Sequence, residues 1–413
     1  MAASAVITDS GERALIPPFT DEHQQLRETI RRWVQTEVEP YVDEWDRAQE
    51  FPRELYTRAA ELGFLGLKYP EELGGQGGDY VHDAVWSEEL AAAGAGGGVG
   101  AGLGAHTGIA TPPIWKFGTP DQRERFLRPA IAGEKIGALG ITEPGAGSDV
   151  ASIKTRADRV DGGYVVNGAK TFITNGARAD FLVCACRTKP EGGHHGISFL
   201  IIERGMPGFE TARKLEKLGW HASDTAELSF TDVEVPGENL LCPEHVGCYL
   251  IMAHFQWVRL LMALGAVGAM SRLLEVTVAY ALERQAFGRS IGHFQVVRHK
   301  LAEIGVKLEA SRALTYHALR EFIGPEAERR EAIARQDWGH PSISAGLQEV
   351  TKAKLLTQRA AVEVADECLQ IHGGYGYMRE YGIERALRDL RLGPIGGGTD
   401  EVMREILGRQ LGL

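Results

Sequence analysis

A chain of 413 residues has room for two or three domains with sizeable cores. With 44% hydrophobic and 24% charged residues it has the composition of an ordinary globular protein. Its net charge of −11 excludes a bulk electrostatic attraction to nucleic acid, and no uninterrupted run of about 18 apolar residues marks a membrane span.

The N-terminal stretch MAASAVITDSGERALIPPFTDEH has no long apolar core and carries acids early, unlike a secretory or transit leader. Five cysteines, an odd number, fit a reducing, cytoplasmic setting. From Thr20 the apolar residues Leu26, Ile30, Trp33, Val34 and Val38 recur at three- and four-residue steps, with Asp21 and Glu22 in the first turn, which predicts a helix. A second helix is expected through PRELYTRAAELG, closed by Gly63, and a third through DAVWSEELAAAG. Residues 94–106, GAGGGVGAGLGAH, contain G-x-G-x-x-A twice, from Gly96 and from Gly100. A dinucleotide fingerprint needs a strand before it, and here a helical segment precedes it, so close backbone packing is the expected role.

The middle of the chain changes character. TRADRVDGGYVVNGAKTFITNGARADFLVCACRT alternates and is broken at Asp161-Gly162-Gly163, Asn167-Gly168 and Asn175-Gly176, all read as hairpin signals. GISFLIIERG and ELSFTDVEVP continue the strands. After Pro243 a long segment from His254 to Gly288 is apolar or small on several faces, as in a buried helix. Further helices are expected over 294–323, 346–372 and 400–410, with the charged stretch 324–344 as an exposed connection. The pattern predicts an α+β protein: an N-terminal helical domain (1–135), a middle β-barrel or sandwich domain (136–243) and a C-terminal four-helix-bundle domain (244–413).

Cys184 and Cys186 with His194 and His195 raise a zinc reading, but C-x-C without a second cysteine pair fits a buried strand better, and no metal is expected. Glycines and hydroxyls in GITEPGAGSDV can bind a polar ring edge or phosphate through backbone amides. Arg284, Arg289, Gln295 and two phenylalanines in ERQAFGRSIGHFQ suit a pyrophosphate and a stacked ring. In QIHGGYGY a helix ends at a double glycine that a ligand can approach closely.

Together and in this order, ITEPGAGSD, KTFITNG, LGWHASDTAELSFTDVEVP, ERQAFGRSIGHFQ, QIHGGYGY and GGGTDEVMREILGR resemble the acyl-CoA dehydrogenase family over nearly the whole chain. The resemblance implies FAD and a homotetramer built as a pair of dimers. It places Leu139, Ile141, Thr142, Gly147, Ser148, Phe172, Thr174 and Thr399 against the flavin. Arg284, Phe287, Gln295, Gln370 and Gly374 then reach FAD across the dimer interface, and Ser148, Arg259 and Gly398 contact substrate. The implied partners are an acyl-CoA or acyl-carrier-protein thioester and an electron-transfer flavoprotein or similar acceptor.

The family reaction removes a proton from Cα while hydride leaves Cβ for the flavin. The resemblance offers two positions for the base: Gly397, two residues before Thr399, and Val258, directly before Arg259. Neither side chain accepts a proton. Gly397 is expected to leave room for a carboxylate borne by the helix. His254, one helical turn before Val258, is a candidate substitute. The other readings are flavin chemistry that needs no carboxylate there, as in an oxygenase, oxidase or reductase, and a non-catalytic FAD-bearing subunit.

Overall fold

The computed structural model describes residues 17–412; the N-terminal stretch read as lacking a leader lies largely outside them. Helix α1 (Asp21–Trp33) starts at Thr20, whose N–H donates to His23 Nδ1, and buries Arg27, Ile30 and Trp33. It is followed by α2 (Val42–Ala48), α3 (Glu54–Glu61) and α4 (Tyr80–Ala92). The glycine-rich stretch forms α5 (Gly96–Gly104), continued by a wider turn into α6 (Thr111–Phe117). Its small residues serve packing: a Cβ on Gly98 would lie 2.8 Å from Ala222 N, and one on Gly102 2.6 Å from the Phe51 ring.

Eight strands follow: β1 (Gly137–Gly140), β2 (Arg156–Val160), β3 (Gly163–Thr174), β4 (Phe181–Arg187), β5 (Ile197–Glu203), β6 (Phe209–Lys214), β7 (Thr225–Pro236) and β8 (Leu240–Leu241). They form one sheet in the order β6-β7-β3-β2-β4-β5-β8, with β1 parallel to β4. Asp161-Gly162-Gly163 closes the β2–β3 hairpin, as expected. The other two turn pairs do not make hairpins. At Asn167-Gly168 strand β3 runs straight on through a register shift against β7. The Asn167 amide bonds across to Asp232 on β7, which satisfies it without a turn. Asn175-Gly176 does turn the chain, but β3 and β4 on either side are not partners. Asn175 is instead buried, accepting from Tyr56 Oη (3.0 Å) and donating to the Gly102 carbonyl (2.9 Å), and so docks the sheet on the helices.

Cys184 and Cys186 pack with Leu182, Leu200 and Ile202 on one face of β4, while Phe181, Val183 and Ala185 enter a different core on the other. His194 and His195 sit exposed in the turn before β5.

The C-terminal helices are α7 (Gly247–Glu283), α8 (Gln295–Ile323), α9 (Glu326–Ala334), α10 (Leu347–His372), α11 (Ile383–Leu390) and α12 (Asp400–Gln410). Helix α7 packs on α4, α8 and α10. At its crossing with α4 a Cβ on Gly268 would meet the Glu88 carbonyl at 2.1 Å, so the two backbones nearly touch. By length and composition alone α7 could cross a membrane, contrary to the sequence reading, but 67% of its most apolar window is buried inside the protein.

The stretch 324–344 is not a plain exposed connection. Helix α9 forms there because Glu326 pairs with Arg329 and Arg330 at helical spacing, and because Ala332 and Ile343 pack on Ala253 of α7. Arg329 is buried and ties the segment together through the Phe322 and Ser342 carbonyls.

One carboxylate joins all three parts. Asp389 on α11 accepts from Gly97 N–H of α5 (3.0 Å) and from Trp220 N–H of the loop before β7 (2.5 Å). Burial raises its pKa to about 6, against the pull of the Trp220 N–H and of Arg385 and Arg388.

Candidate active site

Helix α7 brings Arg259 and Met262 to the loop 391–399 that returns after α11, with Val258 next to Arg259 and His254 one turn earlier on the same helix. Arg259 Nε donates to the Gly397 carbonyl at 3.2 Å, joining the two segments that carry the candidate base positions. Lys354 of α10 donates to the Gly398 carbonyl at 2.6 Å. Gln358, one turn on, donates to the Met262 carbonyl at 2.7 Å. A Cβ on Gly393 would fall 1.9 Å from its Oε1, so a side chain there would have to displace the Gln358 amide.

Gly397 and Gly398 adopt φ of +63° and +99°, conformations that other residues rarely hold. Thr399 then caps α12, its Oγ1 accepting from Val402 N–H. The space beside Gly397 is not vacant as expected: a Cβ there would lie 2.5 Å from Met262 Sδ. Met262 is one turn beyond Val258 on the same face, so its thioether stands where a loop-borne side chain would project.

The charges here are positive. Burial lowers the Arg259 pKa to about 10, with no carboxylate among the described residues in ion-pair range. Burial, reinforced by Arg259, lowers Lys354 to about 8 although Asp400 opposes it. Asp400 is itself bonded to Arg359 at 3.3 Å.

His254 is buried, and its Nε2 donates to the Ile109 carbonyl at 2.9 Å. The bare Nδ1 therefore has no partner. Burial, then Lys116, lowers its pKa to about 3. Such an imidazole stays neutral but is a weak proton acceptor. It lines a cavity of about 10 Å³ with Leu139, Ile141, Leu250 and Phe255, at the lower limit for one water.

The residues expected at the flavin fall into two groups. Leu139, Ile141, Thr142, Gly147, Ser148, Phe172 and Thr174 cluster at β1, the following turn and the end of β3, where Thr171 N–H donates to the Thr142 carbonyl at 2.9 Å. That turn is braced by Glu143, which accepts from Lys170 Nζ (2.7 Å) and from the N–H groups of Lys154 and Thr155. Phe172 is 69% exposed at φ +60°. The second group lies on the α7–α8 connection and the end of α10. Arg284 and Gly374 line a cavity of about 440 Å³ with Tyr280, His372 and Tyr375. Phe287 is 96% exposed at φ +51°, and Gln295 and Gln370 are exposed. No residue of the first group lines this cavity.

These surfaces fit FAD in kind. Open glycine backbone at Gly145, Gly147, Gly373 and Gly374, where a Cβ would meet nothing within 4 Å, admits a phosphate or ring edge, and Arg284 supplies the countercharge.

Sequence reasoning missed Met262, Lys354, Gln358 and the Glu143–Lys170 brace. Helical spacing from Val258 points to Met262, whereas the others lie on elements remote in sequence. Among the described residues, the one group of three metal-type ligands within mutual reach is His23, Asp79 and His82, which cap the starts of α1 and α4.

A helical domain, a sheet domain and a helical bundle meeting at such a site define a flavin-dependent oxidoreductase acting on CH–CH bonds. The acyl-CoA dehydrogenase N-terminal, middle and C-terminal domains match residues 20–134, 138–233 and 245–412. The chain is 40% identical over 407 residues to the mitochondrial long-chain specific acyl-CoA dehydrogenase of Rattus norvegicus, covering 98% of this chain and 89% of the relative. A crystal structure of a probable acyl CoA dehydrogenase from Mycobacterium abscessus superposes with TM-score 0.87 at 44% identity, covering 95% of this chain and 99% of that one. An FAD complex of PigA superposes with TM-score 0.86 at 27% identity, covering 96% and 98%. The chain belongs to the acyl-CoA dehydrogenase family.

Proposed function

We propose that this chain binds an acyl thioester where Val258 and Arg259 of α7 meet Gly397–Thr399, and oxidises its Cα–Cβ bond without a carboxylate at either of those base positions. The observation that carries the reading is the Arg259–Gly397 hydrogen bond. It supports the reading by holding the helix beside Val258 against the loop at Gly397, where on this reading valine, methionine and glycine stand in place of a base. FAD supplies the two-electron acceptor when bound. The chain's own share is to seat the thioester, to hold positive charge from Arg259 and Lys354 near the enolate that develops, and to keep apolar surface at Val258 and Met262 around it.

On this reading Leu139, Ile141, Thr142, Gly147, Ser148, Phe172, Thr174 and Thr399 face the flavin. Arg284, Phe287, Gln295, Gln370 and Gly374 serve the FAD of a second copy, which accounts for Phe287 being so exposed on strained backbone. An assembly of four copies and transfer of the electrons to an electron-transfer flavoprotein complete the proposal.

The test is anaerobic mixing of FAD-replete protein with a panel of acyl-CoAs while flavin absorbance is followed. Bleaching by a thioester supports the reading. Bleaching only by a reduced nicotinamide or reduced flavin turns it to oxygenase or reductase chemistry.

A further inference from the structure

The starts of α1 and α4, remote in sequence, bring His23, Asp79 and His82 to one point. One ring nitrogen of each histidine and one carboxylate oxygen of Asp79 lie within 4.8 Å of one another. Helix capping explains part of this cluster. Thr20 N–H donates to His23 Nδ1 at 3.1 Å, and Asp79 N–H donates to His82 Nδ1 at 3.2 Å. Asp79 Oδ1 accepts from Val81 N–H at 2.8 Å and from His82 N–H at 3.3 Å. Capping does not explain the rest. His23 is 6% exposed, yet its Nε2 is sealed off with no hydrogen-bond partner among the described residues. Its ring lies 4.5 Å from the His82 ring, centroid to centroid. The hydrogen bonds of the Asp79 side chain all use Oδ1, which leaves Oδ2 free among the described residues.

His23 Nε2 is orphaned in either neutral tautomer. With the proton on Nε2, a buried donor has no acceptor. With the proton on Nδ1, that nitrogen donates to Thr20 Oγ1 at 2.8 Å and Nε2 presents a bare lone pair. Either group is costly to bury unmet. A cation satisfies the second tautomer, and the bond to Thr20 Oγ1 is then the outer contact that orients a metal-bound histidine. The charges agree. Glu22 Oε1 stands 3.4 Å from His82 Nε2, so two carboxylates, Asp79 and Glu22, face two imidazoles that bind metal only when neutral. Arg27, farther along α1, is taken up by Glu88 and Glu89.

We infer that His23, His82 and Asp79 form a binding site for one divalent transition-metal ion of the zinc type, with Glu22 or water in the fourth position. Two imidazole nitrogens and a carboxylate oxygen are a donor set that zinc takes, whereas calcium and magnesium take oxygen ligands. Bonds of about 2.0–2.1 Å set tetrahedral donors about 3.4 Å apart. The exposed Asp79 and the half-buried His82 reach that spacing by side-chain rotation. The ion pins the start of α1 to the start of α4, and none of its ligands belongs to the flavin or thioester site proposed above.

Isothermal titration of zinc chloride into FAD-replete protein, first stripped of metal with a chelator and dialysed, tests it. Zinc should bind saturably at one ion per chain and raise the midpoint of thermal unfolding. His82→Gln should weaken binding about tenfold or more, since even an outer partner of a metal ligand is worth about 10–100-fold. Glutamine keeps the reciprocal cap of α4. Asp79→Asn should weaken binding as well, and asparagine caps a helix as aspartate does. His194 and His195, exposed with rings 4.1 Å apart, are the competing zinc ligands, and the double variant His194→Ala/His195→Ala should bind as wild type does. Absence of saturable binding to the wild type overturns the inference even where a variant fails to fold. Binding that persists unweakened in folded His82→Gln and Asp79→Asn, or that vanishes in the double variant, places the ion elsewhere and also overturns it.

Discussion

Substituting Val258 by glutamate restores one carboxylate at a defined point of α7, and the structure sets what it should cost and gain. Val258 is 4% exposed, so the new carboxylate loses most of its hydration, at several kcal/mol if nothing compensates. Arg259 compensates. It has no carboxylate partner among the described residues, and at about 5 Å with an effective dielectric of about 20 the attraction amounts to about 3 kcal/mol. The residual cost of about 1–3 kcal/mol is tolerable for a domain stable by about 5–15 kcal/mol. A positioned general base contributes about 10²–10⁴-fold, or about 3–5 kcal/mol of barrier. Val258→Glu should therefore fold, keep FAD and bleach its flavin with an acyl-CoA at least 100-fold faster than wild type in anaerobic stopped-flow. A folded, FAD-replete variant that bleaches no faster than wild type with any thioester refutes the placement of the reacting carbons beside Val258.

Gly397→Glu should fail as the alternative restoration, because φ of +63° disfavours it and its Cβ meets Met262 Sδ at 2.5 Å. Adding Met262→Ala should recover part of a stability loss of about 2 kcal/mol in urea titration, and a double variant no more stable than the single one counts against Met262 as the obstacle. Arg284→Ala should weaken FAD binding about tenfold or more, read as flavin release on dilution; unchanged affinity removes Arg284 from the site. Asp389, raised to about 6 from an unfolded value near 3.8, binds its proton more tightly when folded, so its stabilising contribution is complete below about pH 4 and lost as pH rises through 6. Relative to Asp389→Asn, the wild type should lose about 3 kcal/mol between pH 4 and 7 by chemical denaturation, and a difference that does not vary with pH refutes the assignment.

The family and the domain order were legible because they are written in local runs: periodic apolar residues for α1, α8 and α10, continuous apolar runs for β4 and β5, and contiguous glycine motifs. The two candidate base positions came from the resemblance alone, each located by one neighbour, Arg259 or Thr399. What was not legible depends on pairing across distance. Asn167-Gly168 has the composition of a hairpin, but Asp232 on another strand satisfies the asparagine and the strand continues. The charged stretch 324–344 looks solvated until Ala253 of α7 offers its few apolar residues a surface. The filling of the space beside Gly397 by Met262 needed two segments 135 residues apart to be placed together.

Asp389 also bears on how the chain can be recombined. Its two oxygens hold Gly97 and Trp220, which come from the first and second of the three parts, and it stands eight residues before Gly397 in the third. The glycine loop is thus referenced to the other two parts through backbone amides rather than side chains. A substitution at Gly97 or Trp220 that spares the main chain leaves both donors in place, except that Gly97 tolerates no Cβ, which would meet Asp389 at 2.7 Å. Chimeras that exchange the C-terminal bundle with a relative's should therefore keep a working loop only when the incoming part brings an aspartate at this position and the recipient keeps its glycine.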